Sequence, residues 1–230
     1  MSLLLAISLL EIDLATGNVV RREWEDTKPV PIGSLAKPFI ALAYAQRHGF
    51  VYPRVRCKRC WKPDGHGEME IVPAIAQSCN TYFDALRQGV PEDELRSVAL
   101  RFGLEQLDRA EPEKLLRAYV ELHRRAAEPG VASILEGMRK ASASGTAKAL
   151  GRDAYAKTGT AACTHRPRAP GDGFAVVLAP APQPRTAILV RVHGAPGSVA
   201  VKTAGKSAIK NSPSPNSICP GCSPVSPRRK

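Results

Sequence analysis

The chain has 230 residues, of which 43% are hydrophobic and 23% are charged, as is ordinary for a soluble globular protein with one good core. No apolar run reaches transmembrane length, and six cysteines are too few to indicate a disulfide scaffold at this size. The net charge of +12 favours anionic surroundings such as nucleic acid, lipid head groups or wall polymers, although a solvated basic surface explains it equally well.

The elements predicted in chain order are two strands, a helix, a helical middle and three strands. The opening hairpin is predicted from 3–14 and 19–24, with a turn between them. The next helix begins between Gly33 and Leu35 and ends near His48. Further helices are predicted over 72–86 with an interruption at 77–80, over 91–102, 111–127 and 131–140, and further strands over 154–162, 173–179 and 186–192.

This order predicts an α+β fold with a five-stranded type of antiparallel sheet assembled from both chain ends. Helices flank the sheet, and a reduced helical lobe is inserted between its two halves. The apolar stretch 2–10 lacks the charged start and the cleavage site of a signal peptide, so we interpret it as a buried strand. We therefore predict one domain over 1–204.

The last part of the chain differs in composition. From about residue 205 it is rich in Ser, Pro, Asn, Gly and basic residues. Such a segment has too little apolar surface to offset the entropy lost on ordering. We expect 205–230 to be a disordered basic tail, with no further helix packed on the sheet.

Ser34 and Lys37 form an S-x-x-K pair at the predicted start of the first helix, next to Pro38. Proline is best tolerated in the first turn of a helix, and residues three apart share a helix face. A lysine so placed can take the proton of the serine hydroxyl, and the first backbone amides can help to hold an oxyanion. A single S-x-x-K is more often only a helix end, and the predicted tail contains another one, Ser207 to Lys210.

Two further motifs supply the other groups that acyl transfer needs. Ser78 and Asn80 form an S-x-N, in which the serine can relay a proton to the leaving amine and the asparagine can hold a substrate amide. In the K-T-G of a predicted strand, Lys157 keeps the site positive and Gly159 gives a ligand room along the strand edge. Two hydroxyls of the same strand can bind a substrate carboxylate, those of Thr158 and Thr160.

These three motifs occur in the order found in penicillin-binding proteins and serine β-lactamases. The chain resembles a penicillin-binding transpeptidase domain over roughly 3–200, and the Gly-His-Gly at 65–67 followed by the S-x-N resembles the elongation-type class B proteins. The resemblance implies that Ser34 forms an acyl-enzyme with D-Ala-D-Ala-type stem peptides of peptidoglycan, with Lys37 as general base. The backbone amides of Ser34 and Thr160 would form the oxyanion hole, and no cofactor would be required.

The same resemblance implies partners and a location. β-Lactams would acylate Ser34, and other cell-wall synthesis proteins are further candidate partners. The protein would work outside the cytoplasm, in the periplasm or cell envelope, although this chain shows no export signal or anchor. The short helical lobe and the missing pedestal domain are departures from the family.

A cysteine-rich loop provides a candidate metal site. Cys57, Cys60, His66 and Cys79 offer three sulfurs and one imidazole, a sufficient ligand set for tetrahedral structural zinc. Because Cys79 lies between Ser78 and Asn80, a metal there would tie the loop to the S-x-N. A disulfide within this set and free buried thiols are the alternatives.

Several functions are compatible with the motifs. Within the same fold, a D,D-carboxypeptidase, a β-lactamase or a catalytically weak β-lactam-binding sensor or scaffold would keep all three. A small zinc-containing nucleic-acid binder would explain the charge and the two C-x-x-C pairs, Cys57/Cys60 and Cys219/Cys222, but not the ordered motifs, so we expect no nucleic-acid partner.

Overall fold

Two strands from the start of the chain and three from its end form one antiparallel sheet. The structure, a computed structural model, describes residues 6–24, 27–163 and 170–210, with the side chains of 207–210 excepted. The strands of the large sheet are β1 (Ile7–Asp13), β2 (Val19–Glu23), β7 (Tyr155–Ala161), β8 (Asp172–Ala179) and β9 (Thr186–Val192). Their order across the sheet is β2-β1-β9-β8-β7, which leaves β7 at one edge.

The remaining strands form two small ladders. They are β3 (Val30–Pro31) with β6 (Arg109–Ala110), and β4 (Val55–Cys57) with β5 (Gly67–Met69). The second ladder organises the loop between residues 50 and 69, for which the sequence predicted no regular structure.

Seven helices lie in the described part of the chain, and a 3-10 turn over Gly33–Ala36 precedes the first of them. They are α1 (Lys37–Arg47), α2 (Ile71–Gln77), α3 (Asn80–Gln88), α4 (Glu92–Arg101), α5 (Pro112–Arg124), α6 (Val131–Ser144) and α7 (Gly197–Lys210). The predicted α+β fold and five-stranded sheet are confirmed.

Strand β8 shows why the sheet is covered on both faces. Successive side chains of a strand point to opposite faces, so a strand buried on both sides is apolar throughout. Phe174, Val176 and Leu178 pack into the core that contains α1 and α5. Ala175 and Val177 pack into a second core with α7. All eight residues of β8 are buried as a result.

Helix α1 is the central helix of the molecule. Eight of its eleven residues are buried, among them Phe39, Ala41 and Leu42, which are almost completely inaccessible. A helix that is apolar on all sides belongs in the interior of a protein. The 3-10 turn before its amino-terminal end contacts β7, the edge strand of the sheet.

Helix α7 corrects one expectation. The sequence predicted no helix on the sheet after β9 and a disordered tail from 205, but α7 runs from Gly197 to Lys210. Its small apolar residues Ala200, Val201 and Ala204 are fully buried against the sheet, so packing stabilises a segment of modest hydrophobicity. The rest of the predicted tail, 211–230, lies outside the described residues. Within the ranges described, no helix has both the length and the apolar character needed to cross a membrane.

Candidate active site

Ser34 lies on the 3-10 turn that leads into α1, as the position of Pro38 predicted. The preceding Gly33 has φ +50°, and a Cβ atom built there would lie 2.6 Å from the carbonyl oxygen of Thr160. Only glycine allows the turn to approach β7 this closely. Ser34 is therefore held beside the predicted K-T-G strand.

Lys37 is buried at the first position of α1, and its side chain reaches the S-x-N segment. Its Nζ lies 2.7 Å from the Ser78 carbonyl oxygen, 2.6 Å from Asn80 Oδ1 and 3.3 Å from Ser78 Oγ. Burial lowers the pKa of Lys37 to about 8, because desolvation disfavours the charged amine. The pKa of the Lys37 amine therefore lies close to neutral pH, as an efficient general base requires.

Ser78 lies at the junction of α2 and α3, in a left-handed conformation with φ 51° and ψ 42°. This conformation is uncommon for a residue with a side chain and costs about 1 kcal/mol. It interrupts the helical stretch where the sequence predicted an interruption. Asn80 begins α3, so the hydroxyl and the carboxamide approach Lys37 together, as the S-x-N spacing predicted.

Lys157 contacts the same hydroxyl from the edge strand. It lies on β7 and is completely buried, with its Nζ 2.8 Å from Ser78 Oγ and 2.7 Å from the Thr158 carbonyl oxygen. Burial lowers the pKa of Lys157 well below its ordinary value, and the charge of Lys37 lowers it further. When Lys37 is protonated, Ser78 Oγ can accept from both amines through its two lone pairs, which leaves its own proton for a ligand.

A cavity of about 410 Å³ opens above these groups, within the size range of small-molecule sites. The predicted site residues that line it are Ser34, Ser78, Asn80, Thr158, Gly159 and Thr160. Thr158 Oγ1 donates to Thr146 Oγ1 at 2.8 Å, and the Gly197 amide donates to Thr160 Oγ1 at 3.3 Å. A larger depression of about 600 Å³ near Arg139 contains none of the predicted site residues.

The four predicted metal ligands also come together. The ligand atoms of Cys57, Cys60, His66 and Cys79 all lie within 4.8 Å of one another, and the thiols are free. His66 Nδ1 lies 3.5 Å from Cys57 Sγ and 3.2 Å from Cys60 Sγ. Tetrahedral zinc with ordinary ligand bond lengths requires sulfur–nitrogen separations of about 3.5 Å. The donor set therefore fits a structural zinc ion.

This cluster lies directly behind the S-x-N segment. Cys79 is fully buried and faces away from the cavity that Ser78 and Asn80 line, as predicted. The second nitrogen of His66, Nε2, is buried without a hydrogen-bond partner in the described part of the structure. The ring of His66 also packs edge-on against the ring of Trp61, with 5.2 Å between the ring centroids.

Sequence reasoning missed several residues of the cavity wall. They are Trp61, Thr146, Pro196, Gly197 and Ser198. Thr146 and the start of α7 carry no sequence signal of a site, because only the folded chain brings them beside β7. Trp61 had a signal, since a large aromatic residue in a polar cysteine loop has no core nearby in sequence to bury it.

Comparison with solved structures identifies the fold. Pseudomonas aeruginosa PBP2, solved in complex with WCK 5153, matches with a TM-score of 0.74 and 18% identity, over 90% of this chain and 74% of that one. The transpeptidase domain of Burkholderia pseudomallei penicillin-binding protein 3 matches with a TM-score of 0.69 and 16% identity, over 90% and 89% of the two chains. Helicobacter pylori PBP2, solved in complex with MreC, matches with a TM-score of 0.71 and 15% identity, over 90% and 60%.

No protein-family model matches the chain, and no curated protein matches its sequence. The chain has the fold of penicillin-binding protein transpeptidase domains, and the predicted resemblance is confirmed at that level.

Proposed function

We propose that this protein is a penicillin-binding, serine-type D,D-transpeptidase that cross-links peptidoglycan through an acyl-enzyme on Ser34. The observation that carries the proposal is the position of the Ser78 hydroxyl between two buried amines, 3.3 Å from Lys37 Nζ and 2.8 Å from Lys157 Nζ, in the wall of the cavity that Ser34 also lines. Three motifs far apart in sequence thereby surround one space.

In the first step, Ser34 Oγ attacks the carbonyl carbon of the penultimate residue of a D-Ala-D-Ala-type stem peptide. Lys37 takes the serine proton. A neutral amine has two N–H groups, which satisfy its two short bonds to the Ser78 carbonyl and Asn80 Oδ1 and leave the lone pair for that proton. The backbone amides of Ser34 and Thr160 stabilise the oxyanion.

Collapse of the tetrahedral intermediate breaks the carbon–nitrogen bond and forms the serine ester. Ser78 gives its proton to the leaving amine and receives in turn, from Lys37, the proton that Lys37 took from Ser34. Asn80 holds the substrate amide, and Thr158 and Thr160 bind its terminal carboxylate. The amine of a second stem peptide then attacks the ester, which releases Ser34 and forms the cross-link. A β-lactam forms the same ester by ring opening, without a departing fragment.

The cavity wall lacks the carboxylate base that class A β-lactamases use. None of the described residues that line the cavity carries a carboxylate. In those enzymes a glutamate acts through water to hydrolyse the acyl-enzyme. This observation supports the transpeptidase over a β-lactamase of that kind.

We further propose that the Cys57, Cys60, His66 and Cys79 cluster holds a structural zinc ion. The ion would supply folding free energy to the loop and would take no part in proton transfer. We propose an extracytoplasmic location and cell-wall partners, in line with the complex that the Helicobacter PBP2 forms with MreC.

A fluorescent penicillin tests the proposed activity. The chain is expected to become covalently labelled, and Ser34→Ala is expected to remain unlabelled while unfolding at the same temperature. Release of D-Ala from a pentapeptide ending in D-Ala-D-Ala, in the presence of an acceptor amine, then distinguishes an enzyme from a β-lactam sensor. Equal labelling of Ser34→Ala would refute the assignment of the nucleophile.

A further inference from the structure

Tyr119 is a fully buried tyrosine on α5 that lies behind the active-site cavity. It is not among the described residues that line the cavity of Ser34. Its hydroxyl donates to the backbone carbonyl of Leu35 at 2.7 Å. Leu35 follows Ser34 in the 3-10 turn that leads into α1. A side chain of the helical lobe therefore binds the backbone of the turn that carries the proposed nucleophile.

The environment of Tyr119 makes this hydroxyl a constant donor. Burial raises the pKa of Tyr119 well above its ordinary value, so the hydroxyl keeps its proton around neutral pH. A buried tyrosine hydroxyl needs a hydrogen-bond partner, and the Leu35 carbonyl provides one. The Tyr119 ring packs edge-on against Phe39 of α1, with ring centroids 5.4 Å apart. One side chain thus contacts both α1 and the turn that precedes it.

Leu35 is held by contacts to three parts of the molecule. Its backbone amide donates to the Ile32 carbonyl at 3.0 Å. Its side chain packs on β7, where a Cβ atom built on Gly159 would lie 3.1 Å from Leu35 Cγ. The Tyr119 hydroxyl holds the remaining backbone group, the carbonyl. Because Leu35 lies between the proposed nucleophile and the proposed base, a rotation of its carbonyl would change the direction of both side chains.

We propose that Tyr119 is a positioning residue for the acylation of Ser34, which acts by holding the Leu35 carbonyl in the orientation that aims Ser34 Oγ into the cavity. The inference rests on the proposed acylation of Ser34 and adds to it a residue that lies 84 positions from Leu35 in the chain. A misplacement of a reacting group by about 1 Å lowers a rate about 100-fold, so a single buried hydrogen bond to the turn is sufficient to affect acylation.

Acylation kinetics of Tyr119→Phe, which keeps the ring and removes the hydroxyl, test the inference. With benzylpenicillin at a series of concentrations and intact mass as the readout, the limiting acylation rate constant is expected to fall about tenfold, while the noncovalent dissociation constant changes less than about twofold. This split indicates positioning, because a loss of folded protein would lower the acylated fraction instead. Tyr52→Phe is the matched control, since the Tyr52 hydroxyl also donates to a backbone carbonyl, that of Gly130, at 3.0 Å and outside the cavity wall.

The control and a rescue variant separate the role of the hydrogen bond from that of general stability. Tyr52→Phe is expected to acylate at the rate of the unaltered chain. Replacement of Tyr119 by 4-aminophenylalanine, which keeps a donor at the same position, is expected to bring the rate back to within about threefold of that chain. A rate of Tyr119→Phe within about twofold of the Tyr52→Phe rate would overturn this inference alone. No acylation of the unaltered chain would refute the proposed function, and this inference with it.

Discussion

Lys37 shows most clearly how the fold creates reactivity in a single residue. Its ammonium form is surrounded by oxygen acceptors, but the three that it contacts at hydrogen-bond distance are a carbonyl, a carboxamide and a hydroxyl, all of them uncharged. Burial among these uncharged groups favours the neutral amine, so the pKa of Lys37 is lowered to about 8. A solvated lysine, with a pKa of about 10.4, would be protonated almost completely at neutral pH.

The pH dependence of acylation follows from this shift. Only the neutral amine can accept the Ser34 proton, so the rate of acylation by benzylpenicillin is expected to rise about tenfold per pH unit below 8 and to level off above it. Stopped-flow or quenched mass measurements across this range check the profile. Lys37→Arg, which stays charged, is expected to remove the rising limb together with most of the activity. A rate that is flat or falls through pH 8 would contradict the role of Lys37.

Ser78 combines a strained backbone with a central hydroxyl. Ser78→Ala and Ser78→Gly both remove the hydroxyl, and each is expected to lower the acylation rate about 100-fold, because proton relay is lost. The two differ in stability, since glycine adopts φ 51° without the steric cost that alanine keeps. We expect Ser78→Gly to be about 1 kcal/mol more stable than Ser78→Ala in urea unfolding. Retained acylation in either variant would remove Ser78 from the mechanism.

At the scale of elements, the contact between the 3-10 turn and β7 sets the position of the nucleophile. Gly33→Ala would place a Cβ atom 2.6 Å from the Thr160 carbonyl oxygen at φ +50°. We expect a loss of about 2–3 kcal/mol in unfolding free energy and a fall in acylation of at least tenfold, because the turn must move away from the strand.

Gly17→Ala provides the matched control for that change. Gly17 has φ +74°, so alanine is strained there too, but its Cβ atom would have open space, with no heavy atom of the described residues beyond its chain neighbours within 4 Å. The control is expected to lose about 1 kcal/mol of stability and none of its acylation rate. Equal effects of the two substitutions on acylation would mean that the close approach of turn and strand does not position Ser34.

We expect the cysteine-rich loop to depend on its ligand cluster for order. We expect one zinc ion per chain by elemental analysis of the purified protein, and removal by a chelator is expected to lower the unfolding midpoint by about 5 °C or more. Cys60→Ser is expected to lower the zinc content, whereas Lys62→Ala, in the same loop and exposed, is expected to retain it. A zinc content near zero would refute the metal site, and loss of free thiols would identify the disulfide instead.

Across the whole molecule, both ends of the chain are needed to build the cleft. The S-x-x-K turn precedes the helical lobe, the S-x-N lies within it, and β7 follows it. Lys37 and Lys157 lie 41 and 79 residues from Ser78 along the chain, yet both contact its hydroxyl. Removing the S-x-N segment would leave the buried amines of Lys37 and Lys157 without the hydroxyl that both contact, and an unsatisfied buried donor costs about 1–3 kcal/mol or more.

The sequence predicted this architecture because hydrophobic periodicity and motif order are local signals. The large sheet, the interruption at Ser78 and the four-residue cluster around His66 follow from such signals. Helix α7 could not be predicted in the same way, since it gains its stability from packing Val201 and its neighbours on β8 and β9. Trp61 and Thr146 reach the cavity only through tertiary contacts, for which one sequence carries no spacing rule.

A crystal structure of the benzylpenicillin-treated protein is the most direct measurement of the shared cleft. We expect electron density continuous with Ser34 Oγ, with the opened lactam lying between the S-x-N segment and β7. Density attached to any other side chain, or a ligand bound outside that cleft, would contradict a common active site for the three motifs.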